Sequence, residues 1–272
     1  MKTRSGKIIS SLFCLVLAGV LLGCATVPMT GRQQLTLIPN NELTAMSLQS
    51  YQQVLKGSRL SEDSKQVEWV RRVGNRLAQA TENYLKDQGL SISEYQWEFN
   101  LIQDDEQINA WCMPGGKVAV YTGILPIARD DDGLAVVMGH EIAHAIAKHG
   151  NERMSQQLIV QLGGVALSEA LRKQPARTQE LFMTSYGAGT QVGALLPYSR
   201  LHESEADRIG LIIMAMAGFD PRQAVPFWER MNQASGGQRP PEFLSTHPAP
   251  QSRIANINQH LPEALAIYNS RR

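Results

Sequence analysis

Residues 132–149 read DGLAVVMGHEIAHAIAKH, and this segment predicts more about the protein than any other. It is apolar almost all round, which predicts a buried helix over Asp132–His149. On a helix, residues four apart lie about 40° apart around the axis and about 6 Å apart along it, so His140 and His144 share one face. Two imidazoles so placed can bind one metal ion, and Glu141 can reach a water on that ion. A buried helix with two histidines and a glutamate needs compensation, so we predict one Zn²⁺ per chain.

A catalytic zinc ion usually has three protein ligands and one open position, so a third ligand is required. Position 150 is glycine, which excludes a third histidine six residues after His144. The downstream glutamates within useful range are Glu169, Glu180, Glu203 and Glu205. The spacing favours Glu203, because Asp207 lies one turn later on the same helical face. There the Asp207 carboxylate could accept the second ring N–H of a zinc-bound histidine.

Other residues near these motifs are expected to have structural roles. Arg200 shares the face of Glu203 and Asp207, and we expect it to neutralise this acidic pair. Glu205 points away from that face. His149 lies about 140° around the helix from His144, which predicts a surface or capping histidine. Cys112 follows a tryptophan in a predicted loop, and we expect a passive thiol.

Composition excludes several classes of protein. The chain has 272 residues, of which 43% are hydrophobic and 19% are charged, with a formal net charge of +1. This is an ordinary globular composition, unlike that of disordered, collagen-like or disulfide-stapled small proteins. A nucleic-acid-binding protein would normally have a clear basic excess, so no nucleic-acid partner is expected.

The first 23 residues have the pattern of a signal peptide. Basic residues precede the apolar run 8–22, which is too short to be a convincing membrane-spanning helix. The run ends at Leu21-Leu22-Gly23-Cys24, which resembles a bacterial lipobox and predicts lipidation of Cys24. Ala25, rather than aspartate, follows the cysteine, and this favours the outer membrane of a Gram-negative bacterium. We therefore expect a lipid anchor at Cys24, a polar irregular tether over residues 24–39, and a protein facing the periplasm.

Residues 40–272 are predicted to form one α+β domain that is mainly helical. Hydrophobic periodicity and turn residues give the following elements. The predicted helices are 41–56, 61–88 with Ser61 as N-cap, 132–149, 155–172 interrupted at Gly163-Gly164, 199–217, 221–232 and 248–260; the predicted strands are 95–102 and 117–121; the predicted loops are a glycine-rich one at 187–193 and another at 236–241. Residues 155–195 could form a lid over the cleft, or simply pack against the domain.

HExxH at residues 140–144, followed about sixty residues later by Glu203-Ser204-Glu205-Ala206-Asp207, resembles the family of zinc metalloendopeptidases that includes HtpX and the CAAX prenyl proteases. Asn109–Gly123 resembles the strand and turn that precede the family's active-site helix. Ser245-Thr246-His247-Pro248 and Arg253 resemble its C-terminal signature. The resemblance implies a zincin-like (gluzincin) domain with a small β-sheet beside that helix. Its ligands would be His140, His144 and Glu203, with Glu141 as general base and Asp207 orienting a ligand.

The resemblance also implies roles for His247 and Arg253, and a kind of substrate. In the family this pair approaches the substrate carbonyl, and His247 could also cap the zinc ion in a resting state. Strand 117–121 resembles the family's edge strand, which would pair with unfolded or extended polypeptides. Periplasmic lipoproteins of the family imply hydrolysis of misfolded or unassembled envelope proteins, in contact with the outer-membrane assembly machinery. Two alternatives remain: a chaperone-like binding protein with a latent zinc site, and a peptidoglycan metallohydrolase.

Overall fold

The computed structural model describes residues 24–172, 174, 176–190, 196–235, 243–244, 247 and 253–271. The predicted signal peptide and the predicted 236–241 loop lie outside the described residues. Helices dominate the fold and two small sheets accompany them, so the predicted mainly helical α+β class is confirmed. The described helices are α1 (Asn40–Gly57), α2 (Ser64–Asp87), α3 (Leu125–Ala128), α4 (Asp131–Ile146), α5 (His149–Leu171), α6 (Ala176–Thr190), α7 (Leu196–Met216), α8 (Ala224–Ser235) and α9 (Arg253–Asn269).

The five described strands make a hairpin and a three-stranded sheet. They are β1 (Cys24–Thr26), β2 (Gln33–Leu35), β3 (Glu98–Ile102), β4 (Ala110–Met113) and β5 (Lys117–Tyr121). In the three-stranded sheet β5 is central, parallel to β3 on one side and antiparallel to β4 on the other. The prediction that 117–121 is an edge strand is therefore wrong. Strand β4 takes the edge position, because Gly115 and Gly116 adopt positive φ and fold β4 back onto β5.

Residues 24–39 do not have the irregular conformation that their polar composition predicts. They form the antiparallel β1–β2 hairpin, and the Val27 side chain is buried in the core. The hairpin and the residues that follow it lie against α5, where the Leu37 N–H donates to Ser155 Oγ at 2.8 Å. The Asn151 side-chain amide donates to the Ile38 carbonyl at 2.7 Å. The hairpin and the segment after it are thus packed onto α5, with Cys24 exposed at the beginning of β1.

Several predicted helix boundaries differ from those observed. Asp63, not Ser61, caps α2, because its carboxylate accepts the first free backbone N–H groups. The helix predicted over 132–149 ends at Ile146. Two residues later, Lys148 adopts a left-handed backbone conformation and precedes the next helix, α5. Helix α5 continues through Gly163-Gly164 without interruption, and α6 includes Gly187 and Gly189 of the predicted glycine-rich loop.

The helix predicted over 248–260 is described from Arg253 onward and continues to Asn269, with Pro262 inside it; residues 248–252 lie outside the described residues. None of the helices within the described ranges combines the length and the hydropathy that a membrane crossing requires.

Helices α4 and α7 pack together at the centre of the core, and two glycines set how closely they approach. A Cβ atom added to Gly210 of α7 would lie 3.0 Å from the backbone nitrogen of His140. One added to Gly139 of α4 would lie 3.2 Å from the Gly210 carbonyl oxygen. The two backbones therefore touch with no side chain between them. This contact brings His140 against the segment of α7 that carries Glu203 and Asp207.

Candidate metal centre

Four residues that are far apart in sequence bring one potential ligand atom each to a single point. They are His140 and His144 on α4, Glu203 on α7, and His247, and these atoms all lie within 4.8 Å of one another. The Nε2 atoms of the two α4 histidines are 3.0 Å apart, and each lies 3.4 Å from a Glu203 carboxylate oxygen. His247 Nδ1 lies 3.1 Å from Glu203 Oε1. The structure thus brings together the three residues predicted as ligands and the histidine predicted beside them.

The other candidate glutamates do not reach this point. The Glu169 side chain is 68% exposed and pairs with Arg172 on the outside of α5, and Glu180 is also exposed. Glu205 is buried but faces away from the cluster. Two imidazoles and a carboxylate are the donor set of many catalytic zinc sites. The residues present therefore fit a metal ion of this kind.

Asp207 and Arg253 support the outer nitrogen of His140. The His140 Nδ1–H donates to Asp207 Oδ1 at 2.9 Å, which leaves Nε2 facing the ligand cluster. Arg253 Nη2 donates to the same Asp207 oxygen at 2.6 Å, and Nη1 lies 3.4 Å from Glu203 Oε2. The guanidinium also stacks over Trp228, 3.5 Å from the ring centroid. Arg253 thus holds the Glu203 and Asp207 carboxylates of α7 in place.

These contacts overturn the expectation for Arg200, which is exposed on α7. The buried Arg253, fifty residues further along the chain than Glu203, neutralises the acidic pair instead. Burial would lower the pKa of His140, but its hydrogen bonds to Asp207 and Glu203 raise it to about 9. Burial also opposes the charge on Glu203, yet its contacts with the rings of His140, His144 and His247 hold the pKa of this carboxylate well below its usual range.

His149 supports the outer nitrogen of His144, and this was not predicted. Its Nδ1 lies 2.8 Å from His144 Nδ1, and its Nε2–H donates to Glu205 Oε2 at 3.0 Å. The His149 side chain is 4% exposed, so of the two predicted alternatives, a surface or a capping histidine, the surface position is wrong. The predicted angle of about 140° assumed one continuous helix, but the left-handed turn at Lys148 reverses the direction in which His149 points. Burial lowers the pKa of His149 to about 4, which keeps the ring neutral.

The structural role expected for Glu205 takes the form of a buried ion-pair network. Its carboxylate accepts hydrogen bonds from His149, Thr30 and Arg32. Arg32 also forms two hydrogen bonds to Glu152, whose carboxylate accepts a further one from His202 at 2.9 Å. Burial opposes both carboxylate charges, but these donors lower the pKa of Glu205 and that of Glu152 to about 2. Both carboxylates are therefore charged at neutral pH.

Glu141 lies beside the ligand cluster without belonging to it. Its side chain is buried, and its Oε1 makes no hydrogen bond to any described part of the chain. The same oxygen lies 3.5 Å from His247 Nε2. Burial raises the pKa of this carboxyl. A buried acceptor without a partner, next to a metal site, is placed to bind a water or a substrate group.

Cys112 lies on strand β4 rather than in the predicted loop, and burial raises its thiol pKa well above the usual value. A thiol with a raised pKa is a poor nucleophile, in keeping with the predicted passive role.

Two histidines of a helical HExxH motif lie beside a glutamate from a second helix, and a small sheet flanks the first helix. This arrangement defines a zincin-like metallopeptidase domain. Residues 64–261 match Peptidase family M48, and the chain belongs to this family. The resemblance to a metalloendopeptidase family is thus confirmed at the level of the family.

Curated relatives of the chain are metalloendopeptidases or proteases. The mitochondrial metalloendopeptidase OMA1 of Schizosaccharomyces pombe is 40% identical over 174 residues, which cover 64% of this chain and 49% of the relative. The mitochondrial metalloendopeptidase OMA1 of Bos taurus is 32% identical over 250 residues, 88% of this chain and 46% of the relative. The beta-barrel assembly-enhancing protease of Escherichia coli is 34% identical over 168 residues, 59% of this chain and 33% of the relative. The chain spans half or less of the length of these relatives.

Proposed function

We propose that the protein is a zinc-dependent endopeptidase that cleaves extended polypeptides. The observation that carries this proposal is the ligand cluster of His140, His144 and Glu203 with the buried Glu141 carboxylate beside it. A site that only held a structural metal ion would have no need of this buried carboxylate, whose Oε1 accepts no hydrogen bond from the described residues. A zinc ion held by these residues would polarise a substrate carbonyl and lower the pKa of a water molecule to about 7.

The side chains around the site divide the remaining tasks of peptide hydrolysis. Glu141 accepts the proton of the attacking water, and its raised pKa suits a group that must then pass that proton to the leaving amine. Asp207 and His149 hold the two ligand histidines with their Nε2 atoms toward the cluster. Arg253 is buried on the Asp207 and Glu203 carboxylates, so we assign it a supporting role rather than direct contact with the substrate carbonyl.

His247 occupies the fourth position of the ligand cluster, where the substrate carbonyl would have to enter. Its Nδ1 lies 3.4 Å from His140 Nε2 and 3.1 Å from Glu203 Oε1. This geometry favours a resting form in which His247 would join the other three side chains in holding a metal ion and would have to withdraw before peptide binds. An oxyanion contact from His247 would be available only after that movement.

Strand β4 is the part of the fold suited to hold an extended substrate. It is an edge strand of the three-stranded sheet and packs beside α4, which carries Glu141. Backbone pairing at a sheet edge selects extended conformation more than sequence. Unfolded or unassembled polypeptides present such segments, and they are the substrate class that we propose.

We further propose that the protein acts in the envelope of a Gram-negative bacterium, as an outer-membrane lipoprotein facing the periplasm. The lipobox-like sequence at residues 21–24 and the exposed position of Cys24 support this address. A relative named for its enhancement of β-barrel assembly supports misfolded or unassembled envelope proteins as substrates and the assembly machinery as a partner. Acylation can be tested by labelling with a radioactive fatty acid in cells, where Cys24→Ser should abolish the label.

The activity is tested with the chain from residue 24 carrying Cys24→Ser, so that the hairpin is kept intact. Unfolded casein is the substrate, and Glu141→Gln with equal bound zinc is the control. We expect cleavage by the parent and a loss of about 10³-fold or more in the variant. Equal cleavage by both would refute the assignment of Glu141. Cleavage by neither would leave a latent enzyme or a chaperone-like binding protein, and His247→Ala separates these because only a capped enzyme would gain activity.

A further inference from the structure

We propose that Arg32, in the N-terminal hairpin, is a positioning residue for the metal ligand His144 and acts on it through Glu205 and His149. The inference rests on the metal site proposed above. It adds to that site a residue from a segment that precedes the family match at residues 64–261.

The hairpin grips the Glu205 carboxylate with two side chains. Arg32 Nε donates to Glu205 Oε2 at 2.8 Å, and the Thr30 hydroxyl donates to Oε1 at 2.5 Å. Arg32 Nη1 and Nη2 donate to both oxygens of Glu152 at 2.9 and 2.7 Å. One guanidinium therefore links α5, which carries Glu152, to α7, which carries Glu205.

The contacts of Glu205 with His149, and of His149 with His144, connect Arg32 to the metal ligand. A charged carboxylate can only accept hydrogen bonds, so the proton of the His149 ring lies on Nε2 and is donated to Glu205. The lone pair on His149 Nδ1 then accepts from His144 Nδ1–H, 2.8 Å away. That bond fixes the tautomer of His144 with the Nε2 lone pair directed at Glu203 and His140. A partner on the outer nitrogen of a metal-binding histidine orients the ring and makes it a better ligand.

The ring of His149 is also held from its face. His202 stacks on it with a centroid distance of 4.4 Å and a 16° angle between the planes. The His202 Nε2–H donates to Glu152, so the same arginine that holds Glu205 also fixes this stacking partner. His149, Glu152 and Glu205 are each less than 9% exposed, so solvent does not replace a lost contact. Loss of the Arg32 contacts should therefore change the position of the His144 ring.

The experiment measures zinc affinity by competition with a chromophoric chelator, using the chain from residue 24 with Cys24→Ser. Loss of a group that supports a metal ligand typically weakens metal affinity by 10–100-fold. We expect Glu205→Gln to weaken zinc binding by about tenfold and Arg32→Met to weaken it several-fold. The matched control is Arg208→Met, which removes a two-bonded arginine–glutamate pair on the outer face of the same helix α7 and should leave affinity unchanged.

A double-mutant comparison separates positioning from general stabilisation. With His149→Phe in place the path to His144 is cut, so adding Arg32→Met should cause no further loss of zinc affinity. An equal loss in both backgrounds would overturn the proposal. Thermal unfolding identifies any variant that does not fold. If Arg32→Met does not fold, Arg32→Lys replaces it, because lysine keeps the positive charge but lacks the several N–H donors of the guanidinium; an intermediate loss of zinc affinity is then expected.

The outcome is also independent of catalysis. A parent that binds zinc without cleaving casein, and whose His247→Ala variant also fails to cleave, would refute only the proposed function. A parent that binds no zinc would refute both proposals.

Discussion

The two metal-facing histidines of α4 are supported in opposite ways. Behind His140 a single charged carboxylate, Asp207, makes the contact directly and is itself held by Arg253 near the end of the chain. Behind His144 a neutral ring, His149, makes the contact, and the charge lies one step further away on Glu205. A nearby charge acts strongly through one bond, whereas a chain of contacts distributes its effect over several residues. The His140 side should therefore be the more sensitive to single substitutions.

Asp207→Asn should have the largest effect on metal binding. The substitution keeps the shape of the side chain but removes the charge that pairs with His140 and Arg253, so zinc affinity should fall by about 10–100-fold. The measurement is chelator competition, with circular dichroism to confirm folding. A smaller loss than that of His149→Gln would contradict the asymmetry between the two supports.

His149→Gln should weaken zinc binding by about tenfold, less than the change at Asp207. The amide can still accept from His144, but it cannot hold the same bond to Glu205 with the geometry of a ring. His260→Gln, at a partly buried histidine on α9 outside the ligand cluster, is the matched control and should have no effect. A normal affinity in the His149 variant would mean that His144 needs no support on this side.

Gly210→Ala should lower the stability of the protein, because it disturbs the backbone contact between α7 and α4 at His140. The added methyl group would lie 3.0 Å from the His140 nitrogen and would force α4 and α7 apart. Overpacking of this kind costs about 1–3 kcal/mol of the free energy of unfolding. Gly57→Ala at the end of α1 is the control, because nothing lies within 4 Å of the added atom. Urea unfolding compares the two, and equal stabilities would refute the close approach.

Acid should weaken the His144 side through its carboxylates. The folded-state pKa values of Glu205 and Glu152 are about 2, below the ordinary value of 4.5. Their contribution to stability is therefore present above pH 4.5 and is lost as the pH falls toward 2. Arg32→Met should reduce the slope of the unfolding free energy against pH in this window. A slope unchanged from the parent would mean that Arg32 does not depress these pKa values.

The parts of the site that follow from local periodicity could be predicted from sequence. His140, Glu141 and His144 lie within two turns of one helix, and Glu203 and Asp207 lie within two turns of another. His149 could not be predicted, because a single left-handed residue, Lys148, redirects it.

The strand order and the buried arginine also lay beyond local patterns. The short strand β4 lacks a clear alternation, so nothing in its sequence indicated that it would displace β5 from the edge of the sheet. Arg253 reaches Asp207 only through the tertiary packing of α9 on α7, whereas the local pattern favoured Arg200.

The N-terminal hairpin gives the molecule a path of direct contacts from Cys24 to its centre. Strand β1 begins at Cys24, and the side chain that grips Glu205 and Glu152 follows eight residues later. From Cys24, the first contacts along this path are the three residue pairs of β1 and β2. The next are the hydrogen bonds of the Arg32 guanidinium to Glu205 and Glu152. Glu205 then accepts a hydrogen bond from His149, and His149 is hydrogen-bonded to the ring of His144. Side-chain hydrogen bonds therefore join the amino-terminal hairpin to helix α4 by a route that does not follow the backbone.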